Sequence, residues 1–172
     1  MGIRDFIETN YSHFNAGELA RCIGSLREFL DGGGRLMITL AGAMSTAEIG
    51  KSLAPAIRSQ KVHAICCTGA NLEEELFGLF SRSEYEHVPN WRHQSKEEDA
   101  ELHQRGMNRV TDVAIPESTF TKVGESLMSL WEESEAVGDS RFPHEYVYDL
   151  LLHGDLEVSS APEDSWLVAA AD

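Results

Sequence analysis

The 172-residue chain contains no apolar run near the roughly 20 residues that cross a bilayer, so a membrane-spanning protein is not expected. Its start, Met1-Gly2-Ile3-Arg4-Asp5, meets an acid at once and lacks the apolar core of a secretory signal. Three cysteines, two of them neighbours (Cys66 and Cys67), cannot form a disulfide framework, and a reducing, cytoplasmic setting is expected. Basic residues are scarce, 14 against 29 acidic, for a net charge of −15. That disfavours a nucleic-acid backbone as partner. It suits a cationic ligand, and it also suits plain solubility. The seven histidines show no His-Glu-x-x-His, and Cys66-Cys67 is not Cys-x-x-Cys, so no metal site is expected. Gly-x-Ser-x-Gly, Gly-x-Gly-x-x-Gly, internal repeats and low-complexity tracts are absent as well.

What remains is 42% hydrophobic and 25% charged, the mix of one globular domain over residues 1–172. Leu19, Ile23, Leu26 and Leu30 recur at helical spacing, which predicts a helix from Asn15 to about Asp31, capped by Asn15 with Glu18 and stopped by Gly32-Gly33-Gly34. Leu36–Leu40 and Val62–Cys67 read as buried strands. Each leads through a small-residue turn, Ala41-Gly42-Ala43-Met44 or Thr68-Gly69-Ala70, into a helix. The first of these helices is expected to open on the capping box Ser45-Thr46-Ala47-Glu48, the second on Asn71 with Glu74. Pro55 should kink or shorten the first, because an interior proline costs about 3 kcal/mol. The β-α-β-α order predicts an α/β fold, a Rossmann-like parallel sheet flanked by helices with a right-handed crossover.

Residues 83–98 are polar and form an excursion, with one short helix expected near Glu97–Arg105. Val123, Leu127, Leu130 and Trp131 mark a further helix after Pro116, and Tyr146, Leu150 and Leu151 another after Pro143. An additional helical carboxyl-terminal part therefore follows the sheet. Its last pattern, Asp164–Ala171, carries Trp166, Leu167 and Val168 with nothing downstream to cover them. This predicts an incomplete domain, and an exposed apolar helix of the kind that marks interfaces.

In open parallel sheets ligands sit beyond the carboxyl ends of the strands, where both small-residue turns lie. Helix N-termini and unhindered backbone N–H groups there suit a phosphate, although tightly wound α/β proteins carry small residues at such turns without any ligand. Glu73-Glu74-Glu75 opens the second helix. These acids can complement the helix dipole and close a cap, or turn into the crevice to hold a ribose hydroxyl or an ammonium group. His63 reads as a hydrogen-bonded sheet-end residue, and Cys66 and Cys67 as packing on opposite faces of a strand.

Five stretches in order, Leu40–Glu48, Cys67–Glu75, Gly106–Val110, Phe142–Glu145 and Asp164–Ala171, resemble the deoxyhypusine synthase family, in particular its bacterial deoxyhypusine synthase-like branch. The resemblance runs from about Phe6 to Ala171. It implies NAD as cofactor and spermidine or another polyamine as substrate. The aminobutyl group of spermidine is carried on an enzyme lysine to an acceptor amine, a protein lysine or putrescine, with release of 1,3-diaminopropane. By motif match Ala41, Gly42, Ala43, Met44 and Ser45 would form the first cofactor loop, and Thr68, Gly69 and Ala70 the second. Glu73 and Glu74 would reach the polyamine, and Glu74 also the cofactor ribose.

Ala41-Gly42 stands where the family often has Ser-Asn, so backbone donors must serve in place of side chains. Pro55 also departs from the family's usual helix. The family's chain is about twice as long, and its later half holds the imine-forming lysine. Lys51, Lys61, Lys96 and Lys122 all read as solvated surface residues, so no catalytic nucleophile is assigned. The resemblance implies a homo-oligomer, a tetramer in the family, or a chain that pairs with a paralogue. An NAD-dependent aminobutyltransferase that holds only part of its site, and is inactive alone, is the leading expectation. A non-catalytic subunit and a stand-alone NAD- or polyamine-binding module are the alternatives.

Overall fold

The computed structural model describes residues 2–154 and 157–172. Strand β1 (Met37–Leu40) pairs in parallel with β2 (Ala64–Cys67), in register from Met37 opposite Ala64 to Leu40 opposite Cys67. The connection contains α3 (Gly50–Arg58), and α4 (Gly69–Ser81) follows β2. The β-α-β-α unit is thus present as a small parallel sheet flanked by helices.

The strands are not buried as expected. Ile38, Leu40, Ile65 and Cys67 face the core, while Met37, Thr39, Ala64 and Cys66 are exposed. The physical reason is the sheet's narrowness: only two strands pair, and among the described residues no layer covers the outward face. Alternate residues of a strand then meet different surroundings.

Helix α4 is the centre of the fold. Leu76, Phe77, Leu79 and Phe80 are buried along it. They pack with Val123 of α6 (Glu117–Ala136), Val147 and Leu150 of α7 (Pro143–His153), and Trp166 and Leu167 of α8 (Trp166–Ala171). Phe77 and Phe120 have ring centroids 4.4 Å apart. Each fully buried large aliphatic or aromatic side chain in such a cluster is worth about 1.5–3 kcal/mol.

The prediction of an uncovered last helix is overturned. Trp166 is 2% exposed and Leu167 0%. Helix α8 lies against α3, α4 and α7, and its start is drawn in by Gly50, where a Cβ would overlap the backbone oxygen of Asp164. Val168 is half-buried.

Other boundaries move for identifiable reasons. Helix α2 (Phe14–Asp31) begins after His13, and Glu18 pairs with Arg21 instead of closing a box with Asn15. Before it stands α1 (Ile3–Asn10), which the sequence reading did not include. Helix α3 starts at Gly50, not Ser45: residues 42–49 form turns, with Ala43 and Glu48 at positive φ (63° and 58°). The Glu48 carboxylate pairs with Lys51 and, at 3.1 Å, with Arg82. Pro55 lies within α3, which ends three residues later at Arg58. The excursion holds α5 (Lys96–Gln104), capped by Ser95 and Glu98. It also holds an antiparallel sheet that the reading missed, in the order β3 (Glu86–His87), β5 (Val113–Pro116), β4 (Met107–Val110). Leu102, Met107 and Ala114 form its small core. Among the described residues no helix is long and apolar enough to cross a membrane.

Candidate functional site

The two turns beyond β1 and β2 are brought together by one side chain. Asn71, the third residue of α4, is fully buried. Its Oδ1 accepts from the backbone N–H groups of Met44 (3.1 Å) and Ser45 (3.2 Å). Its Nδ2 donates to the Ala41 carbonyl and to Thr68 Oγ1 (3.2 Å). The sequence reading placed Asn71 as the cap of α4. That is corrected: Thr68 is the cap residue, and Asn71 spends its polar atoms across the crevice on the first loop. A short amide that donates and accepts at once is what a carbonyl and two neighbouring N–H groups require.

The three glutamates have three different surroundings. Glu73 is exposed and makes no hydrogen bond or ion pair among the described residues. Glu74 is half-buried, and its Oε2 accepts from the Thr46 N–H at 3.2 Å, so it closes no box with Asn71. Glu75 is 6% exposed, and its Oε1 accepts from the Trp166 N–H at 3.1 Å. Burial pushes the Glu75 carboxyl above the ordinary range, opposed by hydrogen bonds from Ser165, Ser45 and Trp166. Ser45 Oγ also accepts from Trp166 Nε1 at 2.9 Å. The sequence reading missed Glu75 as a distinct residue. The signal was available, because Leu72, Glu75 and Leu79 share the face of α4 that meets the core.

Asn71 and Glu74 together occupy the N–H groups of Met44, Ser45 and Thr46. The N–H groups of Gly42 and Ala43, and those of Gly69 and Ala70 in the first turn of α4, have no partner among the described residues. A Cβ at Gly42 or Gly69 would meet nothing within 4 Å, so both stretches of backbone stand open. The Thr46 hydroxyl, in a residue 6% exposed, is buried without a partner. The arrangement can therefore receive an anion on backbone donors from two loops, one of them a helix N-terminus with its dipole behind it.

Lys51, Lys61, Lys96 and Lys122 are all exposed, as expected. Lys51 pairs with Glu48, and Lys61 with Asp31 at 3.1 Å. Burial pushes the Cys67 thiol up, which disfavours the nucleophilic thiolate and agrees with a packing role. His63 stands at the sheet end, where its Nδ1 accepts from the Leu36 N–H at 3.2 Å. Among the described residues no three His, Cys, Asp or Glu side chains gather as metal ligands.

Fold and site define an α/β protein of Rossmann-like organisation, with its loops gathered beyond the carboxyl ends of a parallel sheet. The chain belongs to the deoxyhypusine synthase family, whose model matches residues 6–172. It is 28% identical over 137 residues to "Probable deoxyhypusine synthase 2" of Methanosarcina mazei. That match covers 78% of this chain and 36% of the relative, so the chain corresponds to little more than a third of that protein's length.

Proposed function

We propose that this chain, acting as one domain, supplies part of the site for NAD-dependent transfer of the aminobutyl group of spermidine to an acceptor amine, a protein lysine or putrescine. The observation that carries the reading is the pair of open turns locked together by Asn71. The residues present fit a dinucleotide. Gly42, Ala43, Gly69 and Ala70 would hold its phosphates on backbone N–H groups, and the partnerless Thr46 hydroxyl lies in the same loop. Met44 and Ser45, held by Asn71, shape that loop without donating their own N–H groups. NAD would supply hydride acceptance from the amine-bearing carbon and its later return.

Glu74 keeps one carboxylate oxygen for a substrate ammonium or the ribose while the other fixes Thr46. A charge-assisted hydrogen bond of this kind is roughly twice as strong as a neutral one. Glu73, exposed on α4, would meet only a polyamine that extends along that helix. The imine-forming lysine would come from another segment or another chain, because all four lysines here stand at the surface. The same placement favours the second reading, a non-catalytic subunit or NAD/polyamine-binding module that pairs with a full-length paralogue. Assembly into a homo-oligomer or with such a paralogue, in a reducing cytoplasm, belongs to the proposal.

Calorimetric titration of the chain and of Glu74→Gln with NAD and with spermidine tests it. Glutamine can still accept from Thr46, so the fold stays. Loss of the charged hydrogen bond should weaken spermidine binding by about 1.5–3 kcal/mol, roughly ten- to a hundredfold. Equal affinities of the two proteins would remove Glu74 from the site. Absence of NAD binding, both alone and with a full-length paralogue present, would overturn the cofactor reading.

A further inference from the structure

A polar cavity of about 210 Å³, which the proposed reaction leaves unused, lies between α4, the turn before α3 and the segment that leads into α8. Three acids and two bases border it: Glu48, Glu75 and Asp164, with Lys51 and Arg82. Two glycines leave room in it. A Cβ at Gly50 would stand 3.2 Å from Glu75 Oε1, and one at Gly78 would stand 2.7 Å from Arg82 Nη2.

Glu75, Gly78 and Arg82 follow one another along a single face of α4 and its continuation. Side chains on a helix lean towards its N-terminus, and the Arg82 guanidinium accordingly lies back over Gly78, on the way to Glu75. There it stands between two carboxylates. Its Nη1 is 3.1 Å from Glu48 Oε1. Glu75 has no ion pair among the described residues; its Oε1 accepts from the Trp166 N–H. A carboxyl buried without a cation keeps its proton more firmly than one in water. Burial raises Glu75 in that sense, while hydrogen bonds and, more weakly, Arg82 pull it down.

The other charged and titratable groups around the pair come from each neighbouring element. Lys51 on α3 pairs with Glu48, and Asp164 before α8 adds a negative charge at the cavity. Glu74 on α4 and Tyr85, whose ring centre is 5.1 Å from the Arg82 guanidinium carbon, complete the set. Glu48 itself stands at φ 58°, a left-handed backbone that residues other than glycine seldom adopt, at the end of the turns 42–49 that form the first loop. Its two cations help to hold it there.

We propose that Arg82 is a switch between two carboxylates: it pairs with Glu48 while Glu75 carries a proton, and rotates across Gly78 to Glu75 when that proton leaves through the cavity to solvent. The swap leaves Glu48 to Lys51 alone, so neither carboxylate is stranded. It loosens the end of the first loop, while Asn71 keeps the loop's start in place. The arrangement described above is the protonated one. The device acts on the loop itself and requires neither NAD nor polyamine.

Nuclear magnetic resonance of the intact chain between about pH 4 and about pH 9 tests it. Three signals are followed: the Trp166 indole N–H, the Arg82 Nε–H and the Glu48 backbone N–H. The expected result is one common midpoint above 4.5, with the steepness of a single proton, roughly tenfold in the ratio of the two states per pH unit. Lys51 and Arg82 hold the Glu48 carboxyl below the ordinary range, so its own titration falls at lower pH. Glu75→Gln should keep all three signals near their low-pH positions. Arg82→Gln should retain the Trp166 step and lose that of Glu48. Carboxyl carbon shifts assign the midpoint to its residue in the wild type, so the test stands even if a variant fails to fold. The switch is overturned if the three wild-type signals share no midpoint, or if that midpoint belongs to a carboxyl other than Glu75. A Glu48 step that persists in either folded variant refutes it as well.

Discussion

Replacing Asn71 by alanine removes the one side chain that fastens the first loop to the second. Asn71 is fully buried and makes four hydrogen bonds, to Met44 N–H, Ser45 N–H, the Ala41 carbonyl and Thr68 Oγ1. At about 1 kcal/mol net for each, the loss is near 4 kcal/mol. Alanine is the better helix former by up to about 0.7 kcal/mol, which leaves a destabilisation of about 3 kcal/mol. For a domain of this size that lowers Tm by roughly 6–12 °C. Urea unfolding followed by far-ultraviolet circular dichroism measures it, with the fluorescence of buried Trp166 as a second probe. A loss below about 1 kcal/mol would refute the locking role, because a single surface hydrogen bond would account for it.

The isosteric variant Asn71→Asp sharpens the test. It keeps the acceptor for Met44 and Ser45 but sets an oxygen against the Ala41 carbonyl, so burial and that carbonyl raise the carboxyl pKa. A raised carboxyl gives its stability in full below the unfolded pKa and loses it as the pH rises through the folded value. Asn71→Asp should therefore gain on Asn71→Ala as the solution is acidified, and the opposite slope would sink the assignment.

Two further outcomes follow from Glu75 and Gly50. Burial raises the Glu75 carboxyl above 4.5, so the native state holds its proton to higher pH than the unfolded chain does. The wild type should gain stability relative to Glu75→Gln as the pH falls from about 8 towards the unfolded value near 4.5. Paired thermal melts across that range measure the difference, and a difference that grows with rising pH would contradict the cause given. Gly50→Ala should cost about 1–3 kcal/mol, because its Cβ meets the backbone oxygen of Asp164, which cannot rotate away. An unchanged denaturation midpoint would show that α3 and α8 are not held in close contact.

The β-α-β-α unit was legible because its strands are short, apolar and followed at once by small residues. The later helices were legible because their apolar positions recur at 3.6 residues and prolines mark their starts. The small antiparallel sheet was not, since Met107-Asn108-Arg109-Val110 shows no alternation of apolar and polar residues. Its register rests instead on pairing with β5 and on the bidentate Arg109–Asp99 ion pair (2.6 and 2.9 Å).

The two turns were legible in place, but not the wiring between them. Ala41–Ser45 and Thr68–Ala70 do lie together beyond the strands. Local rules, however, gave Asn71 and Glu74 to the start of their own helix, where an acceptor near free N–H groups ordinarily binds. The loop 27 residues away offered buried N–H groups with no other partner, and satisfying those is worth more than capping an exposed end. Tertiary demand of this kind leaves no periodicity for a sequence to display. The burial of Trp166, Leu167 and Ala169 was hidden for the same reason: beside α7, the cleft that receives them is built from α3 and α4, more than eighty positions earlier.

The Ser45–Trp166 hydrogen bond joins residues 121 positions apart, and Glu75–Trp166 joins residues 91 apart. Contacts so distant along the chain form slowly, because their loop-closure entropy must be met before they contribute. Synthesis runs from the amino terminus at about 5–20 residues per second, so the two loops emerge several seconds before α8 does. During that interval Asn71 can already join them, but Ser45 and Glu75 stand without their indole and backbone partners. Maturation of the crevice is thus a late event in the life of a nascent chain, set by the arrival of α8 rather than by the segment that carries the loops. A ribosome stalled before residue 166 should display a polypeptide whose loops are joined but still open to protease.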